Sequence, residues 1–204
     1  MTLAFVIVAA YIFGAIPVGV LVARTYGIDI QKVGSGNIGA TNVLRAAGWG
    51  PALVVFLADT LKGGFAVVVA HAFEVPHWWL AVVAIAAVLG HNYSVFLGFK
   101  GGKGVATSFG TIFLLDPGLG GAVAAVAIIT ILVTRFVSAG SVVGAASGVI
   151  LCIAMNRFDF RFAIACGLAI LITFRHRENL ARMYEGRENR IDQRIGNIKA
   201  SFGE

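Results

Sequence analysis

Charge is scarce in this chain. Of 204 residues, 16 are Lys or Arg and 10 are Asp or Glu, so 13% carry charge, about half the roughly 25% of an ordinary soluble domain. Cysteine is scarcer still: Cys152 and Cys166 are the two present, both in apolar segments and without C-x-x-C spacing. That excludes a disulfide framework and a cysteine zinc site, leaving the pair as small packing residues. Histidine occurs four times, never in an H-x-x-x-x-D spacing, and no G-x-S-x-G elbow or metal-ligand cluster occurs. A side-chain nucleophile activated by a neighbouring base is therefore not expected, and neither a metal nor another cofactor is called for.

What is abundant is apolar surface. The chain is 58% hydrophobic with a mean hydropathy of +0.88. Apolar runs fall near residues 3–23, 51–71, 78–98, 105–115, 119–134, 137–155 and 158–174. Runs of about twenty residues match the thickness of a bilayer. The run from Leu3 to Ala23 is too long for a signal-peptide core and lacks a basic flank and a cleavage site, so it reads as a retained helix. Asp116-Pro117-Gly118 splits 105–134 into two short passes. With that split, Arg24, Lys32, Arg45, Lys100, Lys103, Arg135 and the basic C-terminal segment share one side, leaving Arg157 and Arg161 opposite. The positive-inside rule then gives an all-α polytopic membrane protein of seven transmembrane helices, N-terminus outside and C-terminus cytoplasmic. The net charge of +6 belongs to those cytoplasmic loops and does not imply nucleic acid. Trp78 and Trp79 mark the outer interface and Trp49 the inner one, while Gly140, Gly144 and Gly148 mark close helix packing. The chain reads as one domain, 1–204.

The expected outer loops are minimal; the inner segments 24–50, 90–104 and 174–190 hold most of the Gly, Asn, Arg, Lys and His. The first contains GSGNIG, a match to the dinucleotide fingerprint G-x-G-x-x-G, with Asp59 about twenty residues on. Context rejects that reading, because Asp59 lies in a membrane span and no βα alternation follows. The physics beneath the motif survives. Gly34, Gly36 and Gly39 let successive backbone N–H groups form an anion nest; Ser35, Asn37, Thr41 and Asn42 add uncharged donors, and Arg45 adds a two-pronged cation. In the second segment, Gly101-Gly102-Lys103-Gly104 is out of register for a Walker motif, yet it cradles a lysine at a helix start. His91 at the end of the third span reads as a packing residue, and Asn92-Tyr93-Ser94 is a sequon discounted for its inner position. In the third segment, His176, Asn179 and Arg182 recur at three-residue intervals on one helix. Asp59 and Lys62 share a face of the second span and suit a structural ion pair, and Ser141 lies within reach of the same pocket. Anion donors without a nucleophile require an already activated substrate, held and charge-stabilised by the protein.

Three stretches together, GSGNIGATNVLR, GH-x-Y-x-x-F-x-x-FKGGKGVAT and RHREN-x-x-R-x-x-x-GRE, resemble the signatures of the PlsY family of bacterial acyl-phosphate:glycerol-3-phosphate acyltransferases. The resemblance covers residues 1 to about 190; Ser94 stands where the family usually has Pro, and the tail 189–204 lies outside the pattern and receives no role. The resemblance implies transfer of a fatty acyl group from acyl phosphate to the 1-hydroxyl of glycerol 3-phosphate. The products would be lysophosphatidic acid and phosphate, with the donor's own phosphate as base and no acyl-enzyme. It implies catalytic roles for Arg45, Lys103, His176 and Asn179, and substrate binding by Ser35, Gly36, Asn37, Gly39, Thr41, Asn42, Gly102, Thr107, Ser141 and Arg182. It further implies the bacterial inner membrane, a cytoplasmic-face site, membrane lipid around the acyl chain, and a soluble enzyme making the acyl donor as a candidate partner. A membrane transporter of phosphate or organic phosphates is the alternative, disfavoured by the featureless outer loops.

Overall fold

Proline breaks the first apolar run. In the structure, a computed structural model describing residues 2–191, α1 (Thr2–Ala15) stops before Pro17 and α2 (Val18–Thr25) restarts after it. The single helix expected over 3–23 is therefore two, because Pro17 brings no N–H and its ring excludes the preceding turn. The carbonyls freed at the break are taken up from other elements. Ser94 Oγ donates to the Ala15 carbonyl and Lys62 Nζ to the Ile16 carbonyl, each at 2.5 Å. Lys62 also meets Asp59 Oδ1 at 2.6 Å, both side chains 3% exposed, so the second-span ion pair braces the break.

The remaining helices are α3 (Ala40–Ala47), α4 (Trp49–Ala72), α5 (His77–Asn92), α6 (Val105–Leu115), α7 (Pro117–Thr134), α8 (Val137–Ala154), α9 (Phe160–Arg175) and α10 (Arg177–Tyr184), with a 3-10 turn at Val95–Leu97. Among the described residues there is no strand. Among the described residues, five stretches are long and apolar enough to cross a membrane: Thr2–Thr25, Trp49–Ala72, His77–Leu97, Pro117–Thr134 and Val137–Ala154. The chain is an all-α, polytopic membrane protein. Its lipid-facing surface shows in Leu61, Leu132, Val133, Ile150 and Ile170, each at least 64% exposed. α6 has 11 residues, a length of about 16 Å at the helical rise and half a bilayer. It ends where Asp116 caps α7, accepting from the Leu119 amide at 3.0 Å with Pro117 in the first turn.

α3 was not expected inside segment 24–50. Its eight residues bury Asn42 and Val43, and Val43 joins Val20, Ile30, Ile38 and Val55 in a small core that docks the 27–39 loop on α4. A second core joins α1, α4 and α5, and a third joins α5, α6, α7, α8 and α9. Small residues allow the close crossings: a Cβ on Gly63 would lie 1.9 Å from the Thr107 carbonyl, and one on Gly144 2.8 Å from Ala127 Cβ. These packings bring the 35–45, 101–104 and 175–191 segments to one end of the bundle.

Candidate active site

One cavity of about 550 Å³ unites those three segments. Its polar end is lined by Ser35, Asn37, Gly39, Thr41, Asn42, Arg45, Lys103, Ser141, His176, Asn179 and Arg182; the rest of the lining is mainly apolar, from Phe109 and Ile112 on α6 through Ala127 and Ile131 on α7 to Ala145 on α8 and Leu168 on α9, interrupted by Asp59, His91, Ser108 and Ser138. Eleven of the fourteen residues predicted for the site thus line a single space. Gly36, Gly102 and Thr107 do not. Gly36 faces a smaller hollow with Gln31, Ile38, Leu97, Lys100 and Gly101. At Gly102 a Cβ would sit 2.0 Å from His91 Nε2, so glycine there admits the imidazole. Thr107 is fully buried, with its carbonyl taking the Thr111 hydroxyl at 3.1 Å against Gly63.

The loop before α3 holds itself together with the groups expected to hold an anion. Asn42, 2% exposed, accepts from the Ser35 amide at 3.1 Å and donates to the carbonyls of Ile30, Val33 and Asn37 at 3.2, 2.9 and 2.9 Å. The Gly39 amide donates to Asn37 Oδ1 at 2.8 Å and the Gly36 amide to the Val33 carbonyl at 3.0 Å. The Ser35, Gly36 and Gly39 amides of the expected nest are therefore satisfied within the loop, and Asn42 is a brace. What the loop offers the cavity is the first turn of α3, where Ala40 and Thr41 carry amides that a helix leaves without intrahelical partners, together with Arg45 one turn on.

Arg45 Nη2 donates to the carbonyls of Asn189 and Arg190, each at 3.2 Å, and its Nε, buried, has no partner among the described residues. Lys103 Nζ donates to Asn179 Oδ1. Asn179 Nδ2 passes the network to Glu188 Oε1 at 2.6 Å, and Arg182 Nε binds Glu188 Oε2 at 2.9 Å. Glu188, its side chain 5% exposed, is thus the carboxylate around which three predicted residues assemble. It closes the third signature but received no role in the sequence. Asn189 and Ile191 also line the cavity, and the Ile191 amide donates to the Arg135 carbonyl at 2.9 Å. The tail expected to have no role therefore contributes at least residues 189–191 to the site; residues 192–204 of it lie outside the described ones.

Burial sets the electrostatics. It lowers Lys103 to about 8, opposed by Glu188 and assisted by Arg182 and Arg175. Burial, with the charge of Lys103, lowers His176 to about 4. His176 is therefore neutral at pH 7. Its Nδ1 lies 2.8 Å from the Ile172 carbonyl, which can only accept, so Nδ1 carries the hydrogen and Nε2 keeps a lone pair. Ser141 donates to the Val137 carbonyl at 2.8 Å, which leaves its oxygen free to accept. Deeper in the cavity, His91 Nδ1 lies 3.6 Å from Asp59 Oδ1. A His–Asp approach thus exists that no linear spacing reveals, because it is made between α4 and α5.

Known proteins similar to this chain share one description. A family model described as glycerol-3-phosphate acyltransferase matches residues 4–186. A glycerol-3-phosphate acyltransferase of Thermus thermophilus is 59% identical over 91% of this chain and 93% of its own length. Glycerol-3-phosphate acyltransferase 1 of Deinococcus radiodurans is 46% identical over 96% and 98%. Among solved structures, the glycerol 3-phosphate form of PlsY, an integral membrane glycerol 3-phosphate acyltransferase, superposes with a TM-score of 0.88 at 37% identity, covering both chains completely. Its lysophosphatidic acid form gives a TM-score of 0.86 at 38% identity over 93% of this chain and 95% of that one.

Proposed function

The chain belongs to the glycerol-3-phosphate acyltransferase family, and from that premise we propose that it moves a fatty acyl group from acyl phosphate to the 1-hydroxyl of sn-glycerol 3-phosphate. The observation that carries this reading is one cavity with a cationic polar end and a long apolar remainder, suited to two phosphorylated substrates of which one bears an acyl chain. The PlsY structures described with glycerol 3-phosphate and with lysophosphatidic acid support the acceptor and the product.

In the proposed reaction the glycerol oxygen attacks the acyl carbonyl carbon. The carbon–oxygen bond to phosphate breaks, and phosphate leaves with the hydroxyl proton. Acyl phosphate is a mixed anhydride, so the enzyme's task is positioning and charge stabilisation. Arg45 and Lys103 grip phosphate oxygens; Asn179 fixes the Lys103 ammonium; Arg182 adds charge at the rim. Neutral His176, with a lone pair on Nε2, suits acceptance of a glycerol hydroxyl hydrogen bond better than donation to an oxyanion. Ser35, Asn37, Gly39 and Thr41 lie on the α3 side, where the donor headgroup would meet the first-turn amides. The reading includes seven passes, an external N-terminus, and a site on the cytoplasmic face of the bacterial inner membrane.

The test is turnover by the purified protein in detergent, given palmitoyl phosphate and glycerol 3-phosphate without metal or coenzyme A. Lysophosphatidic acid and phosphate in equal amounts are expected. Turnover of acyl-CoA with none of acyl phosphate would overturn the donor assignment.

A further inference from the structure

Lys103 does not hold its place alone. It follows two glycines, whose backbone would be free to wander, and its ammonium must meet Asn179 on another element. The last residue of α9, Arg175, reaches across to that loop. Its Nε donates to the Gly102 carbonyl at 3.1 Å, and its Nη2 to the carbonyls of Gly102 and Gly101 at 2.9 and 3.2 Å. The guanidinium lies over the Tyr93 ring, 5.1 Å from its centroid, which fixes the plane of the fork. From beneath, the His91 carbonyl accepts the Gly102 amide at 3.0 Å. Both carbonyls immediately before Lys103 are thus held by a side chain adjacent in sequence to His176 and one helical turn from Asn179. Arg175 does not line the cavity, so it does not meet substrate.

We propose that Arg175 is the positioning residue that locks the 101–103 loop to the end of α9 and so sets Lys103 in register with His176 and Asn179. A guanidinium fork suits this work and an ammonium does not, because two divergent carbonyls must be met by one rigid plane. The effect on substrate passes through Lys103 alone. The inference rests on the acyltransferase reading for its kinetic consequence, but the positioning itself has a readout that needs no turnover.

Lys103 faces Arg175 and His176 at the end of α9, Glu178 and Arg182 on α10, and Glu188 beyond it, with Asp59 and His91 deeper in the same cavity. Removing the Arg175 charge takes away a neighbour that disfavours the Lys103 ammonium. The Lys103 titration therefore moves to higher pH in Arg175→Gln and stays in place in Arg175→Lys.

The experiment uses both variants of the full chain. It measures kcat/KM for glycerol 3-phosphate against pH, the melting temperature, and the rate at which an amine-directed acylating reagent modifies Lys103, followed by mass spectrometry. With Arg175→Lys, kcat/KM is expected to fall about tenfold or more, since small misplacements of a gripping group cost up to ~100-fold, with the Lys103 titration unmoved. Arg175→Gln is expected to fall at least as far and to shift the titration upward. Wild-type kcat/KM in both variants would overturn the proposal. So would a loss that follows only the folded fraction, with the titration unmoved in Arg175→Gln. A wild-type protein inactive on these substrates would refute the acyltransferase reading; the positioning would then be supported by faster Lys103 modification in the charge-conserving Arg175→Lys than in the wild type, and overturned by equal rates.

Discussion

At the scale of residues, the lysine of the site is strongly altered by its surroundings. Burial lowers Lys103 to about 8, and only its charged form grips phosphate. The grip is therefore complete below that value and lost as pH rises through it. kcat/KM for glycerol 3-phosphate should show an alkaline limb near pH 8. The kcat limb should lie higher, because bound phosphate favours the ammonium. Lys103→Ala should abolish the limb and lower kcat/KM by about a hundredfold or more, the usual cost of removing one preorganised charge partner. A wild-type profile flat through this range, or full activity in the variant, would remove Lys103 from the acceptor site. The place of Lys103 on the cavity was legible in the sequence, because a lysine set among glycines at a helix start has few structural uses. The burial of Asn42 was not legible: as a donor in a glycine-rich loop it looked available, yet four hydrogen bonds to its own loop consume it. Glu188 was missed for a related reason. A carboxylate has no evident place among substrate anions until Arg182 and Asn179 are seen to need one.

At the scale of elements, the proline break in the first helix creates a demand that the second span meets. Lys62 donates to Ile16 and to Asp59, with both charged side chains 3% exposed. Removing one partner of such a pair leaves an uncompensated buried charge, at a cost of about 3–5 kcal/mol. Asp59→Asn is accordingly expected to lower yield and melting temperature steeply while the surviving folded enzyme keeps most of its kcat. Asp59→Leu with Lys62→Met should regain part of the lost stability, short of the bond to Ile16. A well-folded but inactive Asp59→Asn would move Asp59, which also borders the cavity beside His91, into the chemistry. The three-residue spacing made the pair visible in the sequence; its purpose was not, since nothing in an apolar run announces where Pro17 will expose a carbonyl. α3 escaped notice because its eight residues are too few to show a period.

At the scale of the whole molecule, the arrangement of charge follows the arrangement of chemistry. Arg157 and Arg161 at the far end are gathered by Asp116, whereas Arg45, Lys103, Arg175 and Arg182 converge at the other end. Hydrophobic runs and basic loops carry that asymmetry in one dimension, which is why the class of fold was readable. The threading of three distant loops around one cavity depends on helix crossings such as Gly63 on Thr107, and these have no one-dimensional trace. Orientation follows from the same asymmetry and is open to test. With Cys152 and Cys166 replaced by alanine, single cysteines at Lys32, Phe73 and Tyr184 would be probed with a membrane-impermeant maleimide. Lys32 is 82% exposed along its side chain, and Phe73 and Tyr184 are 46% and 95% exposed. The seven-pass reading puts Phe73→Cys alone within reach in right-side-out vesicles, and Lys32→Cys with Tyr184→Cys in inverted ones. If Lys32 and Tyr184 label from opposite sides, the segments bearing Arg45 and Asn179 cannot share a cavity, and a site built from both is impossible.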